Sequence, residues 1–223
     1  MCKKSFIKMF KLLIIICISF LFISCSNSTE PVEVLPETVI IGNQVWMTKN
    51  LDVVKFRNGD TIPQAKTNEE WYLAGKYQRP AWCYYNNDPE MGKKYGKLYN
   101  YYALTDERVI TPYGYRIPNA EDWAELFQLT GGKNTAAYYL KSKSGWIENG
   151  EGNNEIKFTA LPGGYRDIYG SFASLGSTGY WWVGDGYDYF KETVMMTYWS
   201  KSTGNYLAFN PRYGFSVRCL KYY

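Results

Sequence analysis

The chain contains no histidine, and that absence restricts its chemistry before any motif is sought. Ser–His and Cys–His nucleophilic catalysis, histidine–zinc sites and imidazole acid/base work all need the missing ring. Paired carboxylates remain conceivable for bond-making, whereas a copper- or thiol-dependent site would need a nearby pair of reactive cysteines, and Cys83 and Cys219 are far apart in the chain. Asp167, Asp185, Asp188 and Glu192 lie near an aromatic-rich segment, and two acids flanking a sugar are what a glycosidase uses. Loop acids are also common turn residues, so spacing alone does not make them a pair. Asn149, Glu151, Asn153, Asn154 and Glu155 offer hard oxygen ligands of the kind calcium takes. No calcium-loop register fits them, and a solvated loop is the favoured reading, with no cofactor expected and calcium as the weak alternative. The stretch Gly184-Asp-Gly-Tyr-Asp188 matches no phosphate-binding loop.

The most suggestive surplus is aromatic. Tyr180-Trp-Trp-Val-Gly-Asp-Gly-Tyr-Asp-Tyr-Phe190 is followed by Tyr198-Trp199 and Tyr206. Strand alternation sends Trp181 and Trp182 to opposite faces, so at most one of them need be core. An outward ring beside Asp or Asn can stack on the apolar face of a sugar while the polar groups bond its hydroxyls. The candidate ligand-binding set is therefore Trp181, Trp182, Asp185, Tyr187, Asp188, Tyr189, Trp199 and Tyr206. The competing reading is that these rings fill a core.

Several elements must position such a set. Thr38 to Thr48 reads as a hairpin about Gly42-Asn43, where glycine takes the positive φ of a type II′ turn. Arg57-Asn-Gly-Asp60 is a second turn, and Asn68-Glu-Glu-Trp-Tyr-Leu-Ala74 reads as a short helix capped by Asn68. The best-signalled helix follows Asn119: acids Glu121 and Asp122 sit at its positive end, and Trp123, Leu126, Phe127 and Thr130 form one buried stripe. Gly131 or Gly132 ends it. Its acids read as structural. Beyond Leu140 the period changes, and segments 156–161, 179–183, 192–199, 206–209 and 215–220 read as strands. A hairpin, then helices, then strands is an α+β arrangement, with short helices packed on a mostly antiparallel sheet.

The first residues are a different matter. Lys3, Lys4, Lys8 and Lys11 precede the apolar run Leu12 to Ile23, too short to span a bilayer, which meets Ser24-Cys25. Leu21-Phe-Ile-Ser-Cys25 resembles a bacterial lipobox, with Phe22 where leucine is more usual. The expected organisation is a lipoprotein signal over 1–24, a lipidated Cys25 with a flexible tether over 25–37, and a single domain over 38–223. Cleavage would remove four of 25 basic side chains and none of the 21 acidic ones, leaving a formally neutral chain. Such a chain lacks the excess of cations that drives phosphate contact, so nucleic acid is discounted as a partner. Cys2 and Cys17 leave with the signal. Cys83 and Cys219 remain, and two thiols in an exported chain suggest one disulfide, against the alternative of two separately buried thiols.

The segments Ile41-Gly-Asn-Gln-Val-Trp-Met-Thr-Lys-Asn-Leu51, Tyr95-Gly-Lys-Leu-Tyr-Asn100, Gly114-Tyr-Arg-Ile-Pro118 with Glu121 to Trp123, Leu161-Pro-Gly-Gly-Tyr-Arg166 and Gly214-Phe-Ser-Val-Arg-Cys-Leu-Lys221 together resemble the Fibrobacter succinogenes major paralogous domain. That family occurs mainly in exported and lipid-anchored bacterial proteins and has no settled activity. Their order is also remotely similar to formylglycine-generating-enzyme domains, which implies a C-type-lectin-like fold. One departure stands out: the family usually has Cys-Pro-x-Gly-Trp-His-x-Pro where this chain has Thr111-Pro-Tyr-Gly-Tyr-Arg-Ile-Pro118. If the family cysteine normally pairs with the terminal one, the resemblance leaves Cys83 as the only candidate for Cys219. The functional expectation is a non-enzymatic, lipid-anchored protein of the bacterial envelope, at the outer membrane, that binds glycan or another envelope protein. The alternatives are a polysaccharide hydrolase and a purely structural component.

Overall fold

The computed structural model describes residues 36–184 and 191–222, apart from the side chains of 204–207. The described part opens with the hairpin β1 (Thr38–Ile41) and β2 (Gln44–Met47). Ile41 pairs with Gln44 across the two-residue loop, and Gly42 has the positive φ, 61°, that this turn demands. Helix α1 (Asn68–Lys76) follows, then β3 (Trp82–Cys83), α2 (Pro89–Tyr95), β4 (Leu98–Tyr99), α3 (Tyr101–Leu104) and β5 (Tyr115–Arg116). Next come α4 (Ala120–Leu129) and α5 (Lys133–Leu140). The chain finishes with β6 (Gly163–Arg166), β7 (Phe172–Leu175), β8 (Thr178–Trp182), β9 (Lys191–Thr197), β10 (Thr203–Phe209) and β11 (Leu220–Lys221).

The strands form a four-stranded sheet in the order β1-β2-β11-β5, a five-stranded sheet in the order β10-β9-β8-β6-β7, and the small β3-β4 pair. Among the described residues every pairing between named strands is antiparallel except β6 with β8. The fold is therefore α+β with mostly antiparallel sheet, as the order of sequence signals implies. The C-terminal segment stitches the sheets together: Phe215 bridges to Tyr99, Ser216 to Trp181, and Leu220 pairs with both Trp46 and Arg116.

Helix α4 shows how locally its ends are specified. The Asn119 side chain accepts from the Asp122 amide at 2.9 Å while Asp122 Oδ2 accepts from the Asn119 amide at 2.8 Å, a reciprocal capping box. Arg116 grips the same carboxylate, its Nη2 donating to Oδ1 at 2.7 Å. At the other end Gly131 has φ 84°, and the amides of Gly132 and Gly131 donate to the carbonyls of Phe127 and Gln128. That pair of bonds is a Schellman stop, and a Cβ at Gly131 would be strained. The stripe Trp123, Leu126, Phe127 and Thr130 is buried.

Three departures from the sequence reading have physical causes. Helix α1 is capped one residue earlier, by Thr67 in a capping box with Glu70, which frees Asn68 to accept from Arg166 at 3.3 Å. Segment 156–161 is not a strand: Lys157 and Thr159 have φ near +58°, and only Ala160 makes a bridge, to Lys141. Third, Cys83 and Cys219 are both free buried thiols, so the expected disulfide is replaced by the alternative reading. Alternation along β3 turns Trp82 into the cluster that holds Cys219 and turns Cys83 into a different one, with Trp71, Tyr85 and Leu98.

Candidate functional site

The structure divides the predicted aromatic set. Trp181 and Trp182 do alternate across β8, but both are 0 % exposed. Trp181 packs with Trp46, Trp123 and Phe158, and Trp182 with Tyr99, Tyr101 and Phe215, because the five-stranded sheet is covered on both faces. Their indole N–H groups donate to Asn50 Oδ1 at 2.9 Å and to the Tyr99 carbonyl at 2.7 Å. The expectation that only one need be core is corrected, and neither can touch a ligand. Asp185, Tyr187, Asp188, Tyr189, the side chain of Tyr206 and Cys25 lie outside the described residues. Trp199 is the exception that fits: it is 68 % exposed.

Trp199 stands in the turn that follows β9 and lines an open cleft of about 440 Å³. Its ring and that of Tyr198 are perpendicular, with centroids 4.9 Å apart, and the indole remains largely exposed. The loop Glu148-Asn-Gly-Glu151 also lines the cleft. Glu148 and Asn149 both carry positive φ, 52° and 56°, a strained pair at the rim. The loop presses so closely on the turn that a Cβ at Gly150 would lie 2.5 Å from the Tyr198 carbonyl oxygen, and one at Gly152 2.3 Å from that of Tyr138. Only glycine permits this approach.

Lys141, at the end of α5, is the clip between the loop and the turn. Its ammonium donates to the Gly150 carbonyl on one side and to those of Thr197 and Ser200, each at 3.2 Å, on the other. It also lies 4.9 Å from the centre of the Trp146 ring. Burial pulls the Lys141 pKa down to about 8, against the opposing pull of Glu151. At the rim, the Glu148 carboxylate beside Tyr198 holds that phenol above its ordinary range. Lys201 sits over the Tyr138 ring at 5.1 Å. The cleft thus combines one free aromatic face with carboxylates, an ammonium and carbonyl-rich walls, an arrangement suited to binding a polar ring.

Sequence reading found Trp199 and named Asn149 and Glu151 only as weak calcium ligands. It missed Tyr138, Lys141, Ser200 and Lys201, although the Asn149-Gly150 pair was a turn signal that could have drawn attention to the loop. Among the described residues no three His, Cys, Asp or Glu side chains gather as metal ligands. Asn153 and Asn154 instead bond within their own loop, to Glu155 and to Thr159. Asp167 is a turn residue, its Oδ1 accepting from the amides of Tyr169 and Ser171. No described helix is long and apolar enough to cross a membrane.

The motif arginines are occupied elsewhere. Arg166 and Arg218 are buried among neutral acceptors: Arg166 donates to the carbonyls of Ala65, Thr67 and Gly170, and Arg218 to those of Met47 and Phe158 and to Asn50 Oδ1. Asn50 in turn donates to the Tyr95 carbonyl at 2.8 Å. These side chains tie segments distant in sequence to one another. The fold and site define an α+β domain with buried, hydrogen-bonded arginines at 166 and 218 and an aromatic cleft at Trp199. The family model for the Fibrobacter succinogenes major domain matches residues 39–221, and the chain belongs to that family. Comparison with curated proteins and with solved structures found no match.

Proposed function

We propose that this domain is a non-enzymatic, lectin-like binding module that takes glycan into the Trp199 cleft, carried on a bacterial envelope protein anchored by lipid at Cys25. The observation that carries the reading is the single large indole left 68 % exposed at a cleft of about 440 Å³, in a domain that buries Trp46, Trp71, Trp82, Trp123, Trp146, Trp181 and Trp182. An uncovered indole face beside carboxylates and an ammonium matches the mixed apolar and polar surface of a pyranose ring. The C-type-lectin-like version of the fold is supported by short helices on mostly antiparallel sheet and by β11 returning to pair with β2, which brings both ends of the domain into one sheet.

A glycan array combined with a sugar-release assay tests this. Array binding that disappears in Trp199→Ala, without release of reducing sugar, is the expected outcome. Release of sugar that vanishes with Asp185→Asn or Asp188→Asn would replace the module with a hydrolase. Silence in both assays would leave a protein partner or a structural role.

A further inference from the structure

A second cavity, of about 200 Å³, lies where the end of β2, helix α2 and segment 159–161 meet. Its charge is unbalanced. Lys49, Lys93, Lys94 and Arg218 line it against the single carboxylate of Asp52, and that carboxylate is already held by the buried ammonium of Lys97. Lys49 and Lys93 pair with Glu37 at 3.1 Å and Glu90 at 2.6 Å, but all four of these side chains are largely exposed. Exposed pairs contribute about 0–1 kcal/mol, so a ligand can compete with them. Lys94 has no carboxylate partner among the described residues and rests over the Tyr95 ring at 4.9 Å. The lysines of α2 also complement the negative end of that helix, which accounts for their presence but not for the cavity beside them.

Arg218 is the second, independent observation. It is 1 % exposed and lines the cavity, yet every acceptor around it is uncharged. Nε and Nη2 donate to Asn50 Oδ1 at 3.1 and 2.8 Å, and Nη1 donates to Met47 and Phe158 carbonyls at 3.0 and 2.6 Å. A guanidinium has five N–H groups, so one on Nη2 has no acceptor among the described residues. Burial without a counter-ion pulls the Arg218 pKa down to about 9. A buried cation solvated by neutral groups still gains strongly from an anion brought within reach.

We propose that this cavity binds an oxyanion, a carboxylate or phosphate group, with Lys93 and Lys94 at the rim and the spare Arg218 N–H at the floor. The site is separate from the Trp199 cleft and does not depend on the glycan reading. Its ligand would be a small acidic molecule or the acidic group of a larger one. Titration calorimetry of the full chain at fixed ionic strength, with inorganic phosphate, glucuronate and neutral glucose, tests it. Saturable binding of phosphate or of glucuronate, and none of glucose, is expected, and whichever anion binds more tightly identifies the source of the charge. The doubly substituted chain Lys93→Gln, Lys94→Gln keeps the Arg218 cage intact and should bind the anion at least about tenfold more weakly. Trp199→Ala should leave anion binding unchanged, so failure here is distinguishable from failure of the cleft. Absence of saturable binding by both anions, or equal affinity in the doubly substituted chain, would overturn the proposal.

Discussion

Trp182 ends strand β8, Trp199 stands in the turn after the neighbouring strand β9, and the two rings meet opposite fates. Trp182 is fully enclosed, its N–H satisfied by the Tyr99 carbonyl and its ring set against Tyr101 and Phe215 at 5.2 and 4.5 Å. Trp199 sits one turn beyond the end of β9 with its face to solvent. The difference lies in position: strand interiors of a sheet covered on both faces consume their rings, whereas the turn releases one. The same division runs through the charged groups. Arg166 and Arg218 serve the core, donating to buried carbonyls, whereas the cations at the cleft, Lys141 and Lys201, belong to its walls.

The largest test of that division is removal of a core cation. Arg218→Ala would leave the Met47 and Phe158 carbonyls buried without their guanidinium donor, each costing about 1–3 kcal/mol, and Asn50 Oδ1 with the Trp181 indole as its remaining donor. Denaturant unfolding should show a loss of at least roughly 3 kcal/mol, or no folded protein at all. A loss below roughly 1 kcal/mol, the scale of a single unsatisfied group, would show that the cage is not structural. Next in size is the tryptophan pair. Trp182→Ala should cost about 3–5 kcal/mol, while Trp199→Ala should change stability by no more than about 0.5 kcal/mol. Equal losses would erase the contrast.

Alkaline pH sharpens it further, because the two regions respond with opposite sign. Burial pushes Cys83 and Cys219 up to about 12 from an ordinary 9.0. Above pH 9 the unfolded chain gives up these protons and the folded one keeps them, so their contribution to stability is full below pH 9 and is lost as pH rises toward 12. Lys141 is depressed from 10.5 to about 8. Between those values the unfolded chain holds the extra proton, so this group makes stability rise with pH and loses its contribution as pH falls through 8. Unfolding measured from pH 7.5 to 9 should slope upward and flatten in Lys141→Met. Above pH 9, Cys83→Ala should make the fall shallower. The smallest effect is chemical: native Cys83 and Cys219 should resist alkylation at pH 8 and react after unfolding, read by peptide mass mapping, since a buried neutral thiol is a poor nucleophile. Rapid native labelling would contradict their burial.

How much of this was legible follows from the range of the forces involved. Helix α4 was readable from Asn119 to Gly132 because cap, stripe and stop are all local interactions. Segment 156–161 alternates like a strand, yet Phe158 must offer its carbonyl to Arg218, sixty residues away in the chain, and its neighbours take positive φ around it. Trp181 was misjudged for a similar reason: a strand's own pattern does not say whether its second face is covered, here by the layer containing Tyr101 and Phe215 on one side and α4 and α5 on the other. The cleft depends on Gly150 and Gly152 meeting Tyr198 and Tyr138, and no short window holds that information. The thiols were paired by counting, while the alternation of β3 points them into different clusters.

The central claim is that the cleft beside Trp199, and not the tryptophan pair of β8, is where this domain meets its ligand. The most direct measurement is titration calorimetry with an array-selected glycan, comparing the parent chain with Trp199→Phe and Trp199→Ala. The account predicts saturable binding in the parent, weaker binding in Trp199→Phe, and none in Trp199→Ala, with all three proteins unfolding at nearly the same temperature. Undiminished binding by a folded Trp199→Ala chain would contradict it.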